Sequence, residues 1–337
     1  MLAAGVPGRC IVVVRRRSVL SSGLAFPVVM AAAGSGAQAQ AWPARQIRFI
    51  VPFAAGGNAD ITARLLGEGL QRRFGQSVIV DNRPGAGGVV GQELVVQAPA
   101  DGYKLVIGTF GTLYVSPLMA GKPSMVSDFT PVSLLSTVPM IVDVPANSRF
   151  KTWAELLAAA RAAPGTFSVG HAGNGTPNHT DILRLQENEK VSFTIVPYRG
   201  SGVGLNDVLA GQIDAYVDQL SSSLPHLQSG KLRALVVVGD KRVPELPDVL
   251  SLAEVGATPF DGGTTLGLYV RTGTPKAIVD TLNTATVAVL NEPAVRQKFT
   301  ELGATVRPST PEEFAAFQKT DEAALADLAA KGLLKPQ

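Results

Sequence analysis

Residues 47–75 read IRFIVPFAAGGNADITARLLGEGLQRRFG. The segment Ile47–Val51 is short, β-branched and mostly apolar, which predicts a buried strand rather than a helix. Pro52 removes a backbone donor and helps end the strand, and Phe53 to Asn58 then form a turn with two adjacent glycines. Ile61, Leu65, Leu66, Leu70 and Phe74 fall mainly on one face of a helix that stops at Gly75, a residue suited to a left-handed cap. Asn58 or Asp60 is the expected N-cap. A strand, a glycine turn and a helix start together present unpaired N–H groups and a positive dipole end above the strand, a geometry that suits an anion. The competing reading is an ordinary turn whose glycines serve close packing.

The same grammar recurs along the chain. Ser77 to Val80 predicts a second strand and Val89 to Gln97 a helix. In the loop between them, Gly85-x-Gly87 has Val90 where a dinucleotide fingerprint needs its third glycine. Lys104 to Gly108 is a strand opening into Thr109-Phe110-Gly111-Thr112. Phe129 to Val144 holds two apolar runs split by Pro139 and reads as a strand crossing between domains. Thr152-Trp153-Ala154-Glu155 is a capping box. Thr166 to Gly170, Phe193 to Val196 and Ile213 to Val217 are strands, each followed by a polar turn: His171 to Pro177, Pro197 to Gly202, and Asp218 to Ser222. Ala234 to Val238 is a further strand, and from Pro275 onward the chain is expected to be helical. Strands alternating with helices argue for parallel sheets, in which ligands lie beyond the carboxyl ends of the strands. The turns should therefore gather on one edge of each lobe, and two facing edges make a cleft.

The chain has 337 residues and one cysteine, Cys10. Arg15, Arg16 and Arg17 precede an apolar segment, Val19 to Ala33, that leads to Ala37-Gln38-Ala39. This is the pattern of a secretory signal cleaved after Ala39, by a twin-arginine or a Sec route, so residues 1–39 are read as a signal peptide and the protein as periplasmic. Four of the 30 Lys and Arg residues lie in that leader, and the remainder are nearly balanced by 27 acids, which leaves no electrostatic footprint for nucleic acid. Without Cys10 there is neither a disulfide nor a thiolate metal site. About 300 residues then favour two domains.

No G-x-S-x-G elbow and no phosphate-binding G-x-x-x-x-G-K-[ST] loop occurs. His171, His179 and His226 make no metal-ligand pair at helical spacing, so no metal and no cofactor is expected. Asp60 is either a helix N-terminal charge or a ligand contact, and Asp218 either a ligand or hinge residue or part of a turn. Arg199 either clamps a carboxylate or is solvated, and Phe53 covers an apolar part of a ligand or packs within its lobe. Asp60 and Asp218, on different lobes, could also form an acid/base pair across the cleft. The hydroxyls of Thr109, Thr112, Thr176 and Ser201 and the amide of Asn174 recognise carboxylates and carry out no reaction, so binding is favoured over catalysis.

The segments IRFIVPFAAGGNAD, VIVDNRPGAGGVVG, ADGYKLVIG, FTPVSLL, GHAGNGTPNH, VPYRGSG, GQIDAYVDQLSSSLPHLQSGKLRAL and LGATVRPSTPEEF, in this order, resemble the Bug-type extracytoplasmic receptors of tripartite tricarboxylate transporters. The resemblance spans essentially the whole chain after Pro43. It implies an α/β fold of the two-lobed periplasmic binding protein kind, type 2-like, with parallel-rich sheets flanked by helices and a ligand cleft between the lobes. Lobe 1 would be residues 40–143 plus 260–337 and lobe 2 residues 144–259. It further implies a monomer that binds a small organic acid and delivers it to transporter membrane subunits. By position, the ligand-binding residues would be Phe53, Ala54, Gly57, Asp60, Thr109, Thr112, Asn174, Thr176, Arg199 and Asp218. The chain departs from the family at Val249 to Glu254 and at Gly263 to Leu268, which form part of the expected cleft wall. The alternatives are an exported hydrolase or lyase of small organic acids, and a solute receptor for a membrane sensor kinase.

Overall fold

The structure, a computed structural model, describes Val13 and residues 42–334. Apart from Val13, the expected leader and its cleavage point lie outside the described residues. The opening motif forms as expected: strand β1 (Ile47–Val51) runs into helix α1 (Asn58–Phe74), which Gly75 ends with φ 65°. The N-cap is Gly57, and no side chain caps the helix. Asp60 instead turns back and accepts from the Gly56 N–H, so the expected cap by Asn58 or Asp60 is replaced by a loop tie.

β2 (Val78–Asn82) and β3 (Lys104–Gly108) flank β1 in parallel, with α2 (Val89–Val96) and α3 (Phe110–Met119) as connections. The long strand β4 (Phe129–Pro145) follows. After α4 (Trp153–Ala162) come β5 (Ser168–His171), α5 (Pro177–Glu189), β6 (Thr194–Pro197), α6 (Ser201–Leu209), β7 (Ala215–Gln219), α7 (Leu220–Gln228) and β8 (Leu232–Val238). The chain then returns through β9 (Gly263–Arg271), α8 (Lys276–Leu290), α9 (Pro293–Glu301), β10 (Thr305–Val306) and α10 (Pro311–Ala330). The strand order is β2-β1-β3-β9-β4-β7-β5-β6, with β8 and β10 also paired to β4.

The sheet is mixed. Pairing is parallel among β1, β2 and β3 and among β5, β6 and β7, and antiparallel wherever β4 or β9 takes part. Strand–helix alternation describes only successive units, and β9 enters from far along the chain. β10 likewise interrupts the segment expected to be wholly helical.

β4 explains how one strand serves two cores. It pairs with β9 from Phe129 as far as Pro139, then with β7 and β8 from Met140. Pro139, which has no N–H to donate, stands where the partner changes, the place in a strand where a proline is tolerated. Val132, Leu135, Val138 and Ile141 enter a core with β1, β3, β9 and α8, whereas Met140, Val142 and Val144 enter a second with α4, β5, β7 and β8.

Candidate functional site

Loops following β1, β3, β5, β6 and β7, together with β9, close around a cavity of about 30 Å³, roughly two waters' worth by the measure appropriate to such spaces. Its lining is Phe53, Gly57, Asn58, Ala59, Thr109, Thr112, Ala172, Thr176, Pro177, Asn178, Ser201, Gln219, Thr264 and Leu266. No side chain in this set carries a charge. What converges instead is helix starts: α1 at Gly57 to Ala59, α3 at Thr109 and Thr112, α5 at Thr176 to Asn178, α6 at Ser201 and α7 at Gln219. Each contributes its dipole end, and all but α3 start without a side-chain cap.

The loops are held by short-range chemistry. Thr109 and Thr112 form a reciprocal capping box, with both N–H···Oγ1 distances at 3.1 Å. Thr176 Oγ1 donates to the Gly173 carbonyl at 2.6 Å rather than capping α5. Asn178 donates to the Val217 carbonyl and accepts from Gln219, whose amide also donates to Thr264. Asn58 accepts from Ser221 through Oδ1, and its Nδ2 is buried without a partner, which leaves a donor for something in the cavity.

Backbone meets backbone where these loops abut. The Ala54 N–H donates to the Arg199 carbonyl at 2.8 Å. A β-carbon on Gly202 would lie 1.9 Å from the Ala55 carbonyl oxygen, and one on Gly87 would lie 2.1 Å from that of Asn174. Glycine at these places allows the β1–α1 loop to touch the β6–α6 loop, and the β2–α2 loop to touch the β5–α5 loop.

Of the residues expected from sequence, Phe53, Gly57, Thr109, Thr112 and Thr176 line the cavity. Ala54, Asp60, Asn174, Arg199 and Asp218 do not line it. Asp60 is buried, bound to Gly56 and clamped by Arg64 at 2.9 and 3.0 Å. Burial alone would raise its carboxyl, yet hydrogen bonds from Arg64, Gly56 and Asn82 hold it below its ordinary value. Arg199 is exposed and contributes its carbonyl to the loop contact. Asp218 is the fourth residue of β7, not part of a turn, and accepts from the hydroxyls of Ser201, Ser222 and Ser223. Burial pushes its carboxyl up and those hydroxyls restrain the shift. No acid/base pair therefore faces the cavity from Asp60 and Asp218.

Sequence reasoning did not single out Asn58, Asn178, Gln219 or Thr264 as ligand contacts. Asn58 was legible as a turn residue. Asn178 and Gln219 lie within regular elements, where an amide carries no local signal, and Thr264 lies on a strand that was not foreseen. Among the described residues, no group of three or more His, Cys, Asp or Glu could hold a metal ion.

A sheet serving two cores, with uncapped helix starts around an uncharged cavity, defines a solute-binding protein of the periplasmic kind. The chain belongs to the tripartite tricarboxylate transporter family of receptors, whose family model matches residues 62–325. BugT of Bordetella pertussis is 32% identical over 308 residues, 89% of this chain and 90% of that protein. The solved periplasmic binding protein BugD superposes with TM-score 0.83 at 32% identity, covering 88% of this chain and 100% of BugD. Rpa4515 of Rhodopseudomonas palustris, solved with adipate, gives 0.84 at 31% identity over 88% and 100% of the two chains. Members of this family are receptors, and the protein is a binding protein rather than an enzyme. Among the described residues no helix is long and apolar enough to cross a membrane.

Proposed function

We propose that the protein captures a small carboxylate-bearing solute in this cavity and hands it, as a monomer in the periplasm, to the membrane subunits of a tripartite tricarboxylate-type transporter. The solute is held between two lobes, residues 40–143 with 260–337 and residues 144–259, after removal of a leader ending near Ala39. The observation that carries the reading is the convergence of five helix starts on a cavity lined by no charged side chain. Negative charge is stabilised there by about 0.3–1 kcal/mol for each helix end, and by N–H donors already in place. Phe53, Gly57, Thr109, Thr112 and Thr176 would meet the solute together with Asn58, Asn178, Ser201 and Gln219. Ala54, Asp60, Asn174, Arg199 and Asp218 would hold those loops. The adipate bound to the similar Rpa4515 supports a carboxylate as the recognised group.

The test is thermal unfolding of ligand-stripped protein against a panel of mono-, di- and tricarboxylates and their neutral amides. One or more acids should raise the midpoint, since a ligand at a hundredfold excess over its Kd adds about 2.7 kcal/mol to folding stability. The matching amides should leave it unchanged. An amide that stabilises as well as its acid would sink the carboxylate reading.

A further inference from the structure

The cavity holds little more than a head group, but it does not end blindly. Thr109 and Pro177 also border a chamber of about 250 Å³ between α5 and α10. Five charged side chains line that chamber: Asp181 and Arg184 on α5, Asp261 ahead of β9, Arg307 after β10, and Asp321 on α10. Among the described residues, none of the five makes an ion pair within 4.0 Å. Both arginines are drawn to aromatic faces instead, Arg184 5.4 Å from the Phe260 ring centre and Arg307 4.7 Å from that of Phe317. Asp181 is 3% exposed, and its Oδ2 is buried with no hydrogen-bond partner.

Two of the chamber's acids are pushed the same way. Burial pushes the Asp181 carboxyl up to about 8 and that of Asp321 up to about 6, and the Asp261 charge adds to both. Arg184 lowers both and Arg307 lowers Asp321, without cancelling the rise. The chamber thus sets three carboxyls beside two guanidiniums that face aromatic rings, and one carboxyl oxygen is buried with no donor; a cation brought against Asp181 favours its ionised form and supplies that donor.

We infer that the chamber receives the cationic end, a primary or methylated ammonium, of a solute whose carboxylate end occupies the adjoining cavity. The cargo is then a zwitterion with its charges at opposite ends, such as an ω-amino acid, and Asp181 is the group that meets the ammonium. This rests on the carboxylate reading above and deepens it.

Calorimetric titration with length-matched probes tests it: ε-aminocaproate against adipate and caproate, and δ-aminovalerate against glutarate and valerate. At least one ω-amino acid should bind roughly tenfold or more tighter than both partners of its length, a difference of about 1.4 kcal/mol. Asp181→Asn, and separately Asp321→Asn, should bring that ratio toward one. A diacid or simple monoacid that binds as tightly as the amino acid would overturn the inference while leaving the carboxylate reading in place. So would a preference that survives both substitutions. Failure of every carboxylate to bind would remove both together.

Discussion

At the residue scale the site depends on what is missing from two side chains. Gly202 occupies the second position of α6, where an alanine would be the better helix former by about 1 kcal/mol. Its β-carbon would nonetheless lie 1.9 Å from the Ala55 carbonyl oxygen, a backbone atom that cannot rotate away. Gly202→Ala should therefore lower the melting midpoint of the unliganded protein, because the backbone clash outweighs the gain in helix propensity. It should at the same time push the β1–α1 and β6–α6 loops apart and weaken solute binding by roughly tenfold or more. Titration calorimetry and thermal melts read the two effects separately. Unaltered affinity would show that the loop contact has no part in holding the solute. Gly87 tells the same story in the neighbouring loop pair, since a β-carbon there would lie 2.1 Å from the Asn174 carbonyl oxygen.

At the scale of the element, α5 carries an acid-sensitive joint. His171 at the end of β5 and His179 in α5 stack with ring centres 4.5 Å apart, and their Nδ1 atoms accept from the Gly173 and Gly175 N–H groups. Both must stay neutral for Nδ1 to accept. Burial lowers His171 to about 3, helped by the charge His179 would carry, and lowers His179 to about 4. A folded value below the unfolded one means that the contribution is present above about pH 6.5 and is lost as pH falls through the folded values. His179→Gln, whose side-chain oxygen can still accept from Gly175, should lose about 2 kcal/mol less than the wild type between pH 7 and pH 4.5. Equal losses in denaturant unfolding at those two pH values would count against the joint. Elements also mark the limits of what was legible. A strand, a glycine turn and a helix start are local patterns, so β1–α1 could be read directly. β9 could not, because it opens on Gly263, Thr264 and Thr265, and Gly267 interrupts the apolar run that follows. Gly267 is required by a partner remote in sequence: a β-carbon there would fall 1.9 Å from the Phe314 ring on α10. Gln219 escaped notice for a similar reason, since it reaches the cavity through amide pairing with Asn178 and Thr264 across the fold.

At the scale of the whole molecule, buried acids make stability a function of pH. Asp143 on β4 is fully buried and pushed up by burial, by more because Asp218 lies near it. Asp181 and Asp321 face each other's elements across the chamber and are pushed up to about 8 and about 6. All of these carboxyls have folded values above their unfolded ones. Each therefore favours folding fully below the ordinary carboxylate range, and that contribution disappears as pH rises through the folded value. Asp181, pushed up to about 8, titrates inside the range over which stability can be followed. Between pH 6 and pH 9 it should cost the wild type on the order of 2–3 kcal/mol of folding stability. Asp181→Asn cannot ionise, so its stability should decline less over the same interval. The gap between the two proteins should be small near pH 6 and widen toward pH 9, with the variant the more stable at the alkaline end. Arg184, Arg307, Asp261 and Asp321 also face this carboxyl but are common to both proteins, so the difference isolates Asp181. Parallel stability curves from urea unfolding across that range would mean that Asp181 is not protonated in the folded state, and that its buried oxygen has found a partner.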